Sequence, residues 1–312
     1  MLNRNRFQHN ISTGRFLFPV VAFVALLFWA VAYRHPSEFL ALAACVATTY
    51  VLIELDITFA LIRTRTALPS SLFLFFYAAC PFLHGYTQEI WIPLLVGVML
   101  FSLFRSYESP VAPTPIFHAF LCIGIGSFLL PHLLLFIPIL YLMMIPLRSL
   151  SMRTFFAGLT GIATPYWLMG CYYLYLGAFE RTFAPFREVI HFSPIDYHAL
   201  SVPQCVSSLI FILITAFCCV QCLFQSYNDK VQTRILLRLL IVTEVTTTLL
   251  VALQPVHFNA LFPVLLFIGS LMAGHYFSLT YTRFTRIFFG ISFILWLGTG
   301  LFNVVWMLLF NS

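Results

Sequence analysis

The chain has 312 residues, 61% of them hydrophobic and 8% charged, with a mean hydropathy of +0.96. A soluble domain carries about 25% charged residues, so a soluble globular fold is excluded, and continuous apolar runs in place of alternating segments of about ten residues exclude a membrane β-barrel. The net charge of +6 rests on 15 Arg and one Lys, with no basic block longer than two or three residues; these cations read as topology signals in loops, and no nucleic-acid partner is expected.

What remains is all-α: a polytopic helical membrane protein with about eleven transmembrane helices, some of them in short hairpins. The first span, 16–33, follows a basic N-terminus. Ala30-Val31-Ala32 resembles a signal-peptidase site, but the apolar stretch is long and more spans follow, so an uncleaved helix is expected. Asn10-Ile11-Ser12 is a sequon by pattern, on the wrong side of the membrane for glycosylation. Further spans are expected at 39–62, 67–84, 90–104, 115–130, 133–147, 154–177, 202–224, 235–252, 259–278 and 287–309. The whole of 1–312 then forms a single integral membrane domain. All eight cysteines fall in apolar segments. Cys219-x-x-Cys222 lacks a second pair and reads as small apolar filler.

The apolar run from Ala119 to Pro146 is too long for one comfortable crossing and carries Pro131-His132 in its middle. If that dipeptide is a turn at the outer face, the inner loops hold Arg4, Arg6, Arg15, Arg63, Arg65, Arg105, Arg148, Arg153, Lys230, Arg234, Arg238, Arg283 and Arg286, and the outer loops hold Arg34, Arg181 and Arg187, a split of 13 to 3. One unbroken span would make it 8 to 8. The positive-inside rule selects the hairpin, and Pro131 biases Leu130 away from helix. The expectation is an inner (cytoplasmic) membrane protein with its N-terminus in the cytoplasm and its C-terminus in the periplasm.

The segment 178–201 then lies at the outer face. Phe179, Phe183, Phe186 and Ile190 recur at helical spacing with Glu180, Arg181, Arg187 and Glu188 between them. That pattern suits a short amphipathic helix in the interface, either as a lid or as a loop packing its aromatics on the bundle. Intramembrane acids are costly and mark function by default. Glu54 and Asp56 are two apart, so about 200° separates them on a helix and they do not pair. Glu244 sits near mid-span among Thr243, Thr246, Thr247 and Thr248. Of nine histidines, His35, His84, His132, His191, His198 and His257 fall at or near the outer face, with Glu38, Glu89, Glu180, Glu188 and Asp196. Such groups suit acid–base work or phosphate binding. No HxxxH or HExxH spacing occurs, so no metal site is expected, and no phosphate loop or dinucleotide fingerprint points to a cofactor.

The stretch AFLCIGIGSFLLPHLLLFIPILYLMMIPLRSLSMRTFFAGLTGIATPYWL reads as a short Gly-containing helix, a proline break, a second short helix, a basic turn and a helix with Gly and Pro-Tyr. It resembles an uncharacterised family of multi-spanning inner-membrane proteins of Bacteroidota, and more distantly the membrane core of GT-C glycosyltransferases, over roughly residues 60–175. The GT-C likeness implies a transferase acting on a polyprenyl-phosphate-linked sugar at the outer face, with a catalytic acid in the first outer loop. In YRHPSEF that acid is Glu38, with Arg34 or His35 holding the leaving phosphate. The loop departs from the GT-C pattern in being only about five residues long and in lacking an acidic metal-binding pair.

Three functions follow. A GT-C-like transferase requires a polar outer cavity that contains Glu38 close to at least one of His84, His132 and His257. A non-enzymatic membrane subunit or scaffold of an envelope complex, with membrane-protein partners, leaves those residues scattered and solvated. A transporter places Glu244 on a cavity near mid-membrane.

Overall fold

The computed structural model describes residues 14, 16–190, 195–225, 229–280 and 282–310. Arg4, Arg6, Arg15, the sequon at Asn10 and His191 lie outside the described residues. Among the described residues there are twelve α-helices and no strand. They are α1 (Leu17–Ala32), α2 (Glu38–Phe59), α3 (Leu68–Ala78), α4 (Ile92–Phe104), α5 (Pro113–Leu129), α6 (Phe136–Met144), α7 (Met152–Tyr175), α8 (Ala184–Ile190), α9 (Val202–Gln225), α10 (Val231–Leu253), α11 (Phe258–Leu279) and α12 (Arg283–Phe310). Short 3-10 turns join several of them. The chain divides into two compact units, Met1–Ile90 with Asp196–Ser312, and Trp91–Ile195.

Five helical segments are long and apolar enough to cross a membrane: α2, α9, α10, Pro255–Leu279 and α12. Large apolar side chains such as Phe23, Leu40, Leu213, Leu249, Ile294 and Leu301 face outward from them and from α1. In water that surface would be a severe aggregation hazard; against lipid it is matched. Two expected spans are shorter than the apolar runs that announce them. Within 67–84 the α-helix is Leu68–Ala78, 11 residues, because Pro81 starts a 3-10 turn. Within 133–147 it is Phe136–Met144, nine residues. At 1.5 Å per residue these rise about 16 and 14 Å against a core of about 30 Å.

In the first unit, α11 is the centre. It is buried from Phe258 to Ser278 except at Asn259, and it packs on α3, α9 and α10. A helix apolar on every side belongs inside, and glycines let its neighbours come close. A Cβ on Gly269 would lie 2.6 Å from Phe211 and from Thr215 of α9, and one on Gly274 would lie 2.5 Å from the Pro69 ring of α3. The helix α2 stops where Ala60 turns left-handed (φ 46°), and Asp56 accepts a hydrogen bond there from the Ile62 N–H at 3.2 Å.

The second unit answers the question set by Pro131-His132. Leu130 is extended (φ −139°, ψ 101°), Pro131–Leu135 is a 3-10 turn, and α6 folds back on α5. Leu133 packs where a Cβ on Gly126 would sit, and farther from the turn the rings of Phe120 and Tyr141 meet at 4.6 Å. Contacts that pair residues ever farther from a break are those of a hairpin. The helix α7 lies tightly along α5, with Gly161 against the Phe117 carbonyl and Gly124 against Pro165. It opens with a capping box: Ser151 Oγ accepts from Thr154 N–H at 3.3 Å, and Thr154 Oγ1 accepts from Ser151 N–H at 2.8 Å. The buried hydroxyls of Ser127 and Tyr166 stand 2.6 Å apart, while Ser127 donates to the Gly124 carbonyl at 2.7 Å. Tyr166→Phe is therefore expected to cost about 1 kcal/mol in thermal unfolding in detergent; an unchanged midpoint would show that the pair adds nothing.

The segment after α7 forms a 3-10 turn, Phe179–Phe183, and then the seven-residue α8. Its aromatics are divided between the two roles expected from the sequence. Phe186 packs on Tyr166 at 4.7 Å and Thr182 is buried near Gly170, while Phe179, Phe183 and Phe186 each keep an exposed edge.

Candidate functional site

One end of the first unit holds a cavity of about 360 Å³. Its wall comes from the end of α1 (Ala32), the loop and first residue of α2 (Arg34, Glu38), and the turn after α3 (Pro81, Phe82, His84, Gly85). The start of α9 (Ser201, Pro203) and the later part of α12 (Asn303, Trp306, Met307) complete it.

Glu38 opens α2 and is buried. Its carboxylate turns back over the loop and accepts from the N–H of Arg34 at 3.2 Å and of His35 at 3.3 Å. An acid in the first helical turn also faces the positive end of the peptide dipoles. The local sequence explains the geometry: Tyr33–Ser37 is five residues long and must reverse the chain, and Glu38 is the side chain placed to tie its backbone down. Arg34 and His35 are exposed; Arg34 lines the cavity and His35 does not.

His84 lies beyond the end of α3 and is 2% exposed. Its ring stacks on Trp29, with centroids 3.7 Å apart and planes 11° from parallel. Neither ring nitrogen makes a hydrogen bond of ordinary geometry. With both nitrogens buried, the ring lines the cavity without offering it a hydrogen-bonding atom.

Asn303 escaped the sequence reading. It is buried in α12, where its Nδ2 donates to the Ala79 carbonyl at 3.0 Å and to Ser207 Oγ at 2.9 Å. It thus ties α12 to the end of α3 and to α9 on the cavity wall. The one signal for it was a lone amide inside LGTGLFNVVWMLLF. Near the mouth, Ser201 donates its N–H to Gln204 Oε1 at 2.8 Å, and Gln204 Nε2 donates to Asn259 Oδ1 at 2.9 Å, which joins α9 to α11.

The remaining expected site residues stand elsewhere. His257 pairs with Glu89 at 3.8 Å, and neither lines the cavity. His132 is buried in the 3-10 turn of the second unit. Glu54 accepts from Thr58 Oγ1 at 3.1 Å on the same helix, and Asp56 caps the end of α2. Glu244 is 5% exposed and faces Thr215 of α9; it lines neither this cavity nor two smaller ones in the first unit, one of about 50 Å³ around Asp229 and one of about 70 Å³ around Phe293. Among the described residues no three His, Cys, Asp or Glu side chains are grouped to hold a metal ion.

A volume near 360 Å³ suits a small molecule or a headgroup. The wall offers a guanidinium, a carboxylate with lone pairs left over from its two backbone bonds and a primary amide, beside the apolar faces of Phe82, Trp306 and Met307 and the ring of His84. No family model, no curated protein and no solved structure matches the chain.

Proposed function

We propose that the chain is an integral inner-membrane protein with about eleven crossings, cytoplasmic N-terminus and periplasmic C-terminus, whose Glu38 cavity is the site of a GT-C-like transfer from a polyprenyl-phosphate-linked substrate at the outer face. The observation that carries this reading is the meeting of Arg34 and Glu38, from the α1–α2 loop and the head of α2, with His84, from the turn after α3, around one cavity. In the proposed reaction the acceptor hydroxyl loses its proton to Glu38, its oxygen bonds to the sugar anomeric carbon, and the bond from that carbon to the phosphate oxygen breaks. The polyprenyl phosphate leaves as an anion held by Arg34. Asn303 supplies a neutral hydrogen-bonding group toward the sugar, and Trp306 and Phe82 supply apolar cover.

The second reading, a non-enzymatic membrane subunit or scaffold, is favoured by one specific observation. The Glu38 carboxylate bonds the backbone of its own five-residue loop, which is what a purely structural cap does.

Two substitutions separate the readings. Glu38→Gln keeps the shape and removes the charge. It is expected to leave protein level and polyprenyl-phosphate binding near wild type while transfer activity falls by about 100-fold or more. Arg34→Ala is expected to weaken polyprenyl-phosphate binding to the purified protein by roughly tenfold or more, the scale of a charge-assisted contact to phosphate. A normally expressed Glu38→Gln protein that fully complements a deletion strain would remove the only candidate base and leave the scaffold reading.

A further inference from the structure

The helices α1, α3 and α12 meet the Glu38 cavity with their later residues or the turn that follows them. Near their starts, at the other end of the first unit, the same three helices enclose an apolar crevice of about 70 Å³ that the proposed reaction does not use. Its walls include Leu17 and Val21 of α1, Leu68 and Phe75 of α3, and Phe289 and Phe293 of α12. Ser71 and Trp296 also line it, but Ser71 Oγ and Trp296 Nε1 are buried, so neither presents a polar atom to the crevice. The crevice is distinct from the Glu38 cavity. Between Leu297, on the crevice, and Asn303, on the cavity, Gly300 brings α12 down onto the other two helices. A Cβ there would lie 3.2 Å from Ala79 at the end of α3, 3.7 Å from the Phe28 ring of α1 and 3.8 Å from the Phe75 ring.

We propose that this crevice holds one acyl chain of an anionic phospholipid, with the lipid phosphate on Arg286 at the start of α12. The walls select hydrocarbon, because they give a polar ligand nothing to bond. The space also excludes a helix of a partner chain, whose diameter of about 10 Å is far too great for it. A single chain fits, and the rim opens where such chains are found: Phe293 and Leu297 keep exposed edges on one side, and Val20 and Phe23 of α1 face outward on the other. Along α12 the crevice runs from Phe289 to Leu297, roughly 12 Å at 1.5 Å per residue.

Charge selects the headgroup. Arg286 stands three residues before Phe289 and seven before Phe293, so at 3.6 residues per turn it extends the crevice-facing stripe of α12 by one turn. Arg283 lies one turn farther out, and Arg65 lies three residues before Leu68. All three are exposed, and among the described residues none of them makes an ion pair. Because α1, α3 and α12 all start at this end, the positive ends of their peptide dipoles add to the same field. An apolar slot with cations at its membrane-surface end matches an amphiphile that carries a phosphate above a hydrocarbon chain. The proposed topology places this end in the cytoplasm, so the lipid would come from the inner leaflet; the site itself does not depend on the transferase reading.

The test uses the full chain in phosphatidylcholine vesicles, with a trace of phosphatidylglycerol carrying a photoreactive diazirine within one acyl chain, and maps the labelled peptides by mass spectrometry. Labelling is expected to concentrate in 17–21, 68–75 and 289–297. Unlabelled phosphatidylglycerol should suppress it at least about fivefold more effectively than added phosphatidylcholine, the scale of one arginine near a lipid phosphate. Arg286→Gln should lose most of that preference while the same peptides stay labelled. Val21→Trp, which fills the crevice from α1, should remove the labelling of 289–297 in the folded protein. Labelling spread evenly over all the outward-facing helices would overturn the proposal by showing only general contact with the bilayer. Equal competition by the two lipids in the wild-type protein would overturn it as well, whether or not either variant folds.

Discussion

Gly161→Ala is expected to destabilise the second unit by about 1–3 kcal/mol, whereas Gly290→Ala should be neutral or stabilising by up to about 1 kcal/mol. Both substitutions add one methyl group inside a helix, so intrinsic propensity favours both. Packing separates them. A Cβ at Gly161 would stand 2.6 Å from the Phe117 carbonyl oxygen, 3.1 Å from Phe120 Cβ and 3.2 Å from the Leu121 nitrogen. Two of those three atoms are backbone, so relief requires α5 and α7 to separate, and α7 is the helix most extensively packed on α5. At Gly290 nothing lies within 4 Å of the added carbon. Thermal unfolding of the two variants in the same detergent measures the difference. Equal midpoints would mean that the α5–α7 contact is not as close as the structure has it.

Replacing Asn303 by Leu should cost about 1–3 kcal/mol, the scale for stranding buried hydrogen-bonding groups. The amide donates to the Ala79 carbonyl and exchanges hydrogen bonds with Ser207. Leu fills a similar volume but leaves Ala79 O without the Asn303 donor, at the point where α3 has ended and its last carbonyls need partners. Ser207→Ala should cost less, at most about 1 kcal/mol, because Asn303 retains the Ala79 carbonyl. The order Asn303→Leu worse than Ser207→Ala, read by unfolding midpoint, is the decisive comparison. The opposite order would locate the strength of the link in the serine. Since Asn303 also lines the Glu38 cavity, a folded Asn303→Leu protein offers a second readout in weakened binding there.

Two parts of the reading came from the sequence with little help. Class is one: 61% hydrophobic residues in long runs leave helices as the only way to satisfy the backbone in lipid. The break at Pro131 is the other, because a proline removes a donor and restrains its predecessor whatever surrounds it, and Leu130 is extended as that requires. The placement of Glu38 at the head of a helix after a five-residue loop was also visible, since a reversal that short leaves the chain few choices.

Helix length within an apolar run was not visible. Hydropathy reports which residues tolerate lipid or a protein interior, and it does not distinguish α-helix from a 3-10 turn packed inside, so 67–84 and 133–147 looked like longer helices than Leu68–Ala78 and Phe136–Met144. Which polar residues meet was decided by tertiary structure alone. Arg34, Glu38 and His84 share a cavity, while His257 pairs with Glu89 and His132 belongs to the other unit. Asn303 gave only the signal of a lone amide in an apolar run and Asp229 gave none, because an isolated amide or carboxylate takes its meaning from partners far away in the chain. Asp229 lies 166 positions after Arg63 and 46 before His275, and only the packing of α9 and α10 against α11 brings these groups within 3.4 Å of one another's polar atoms.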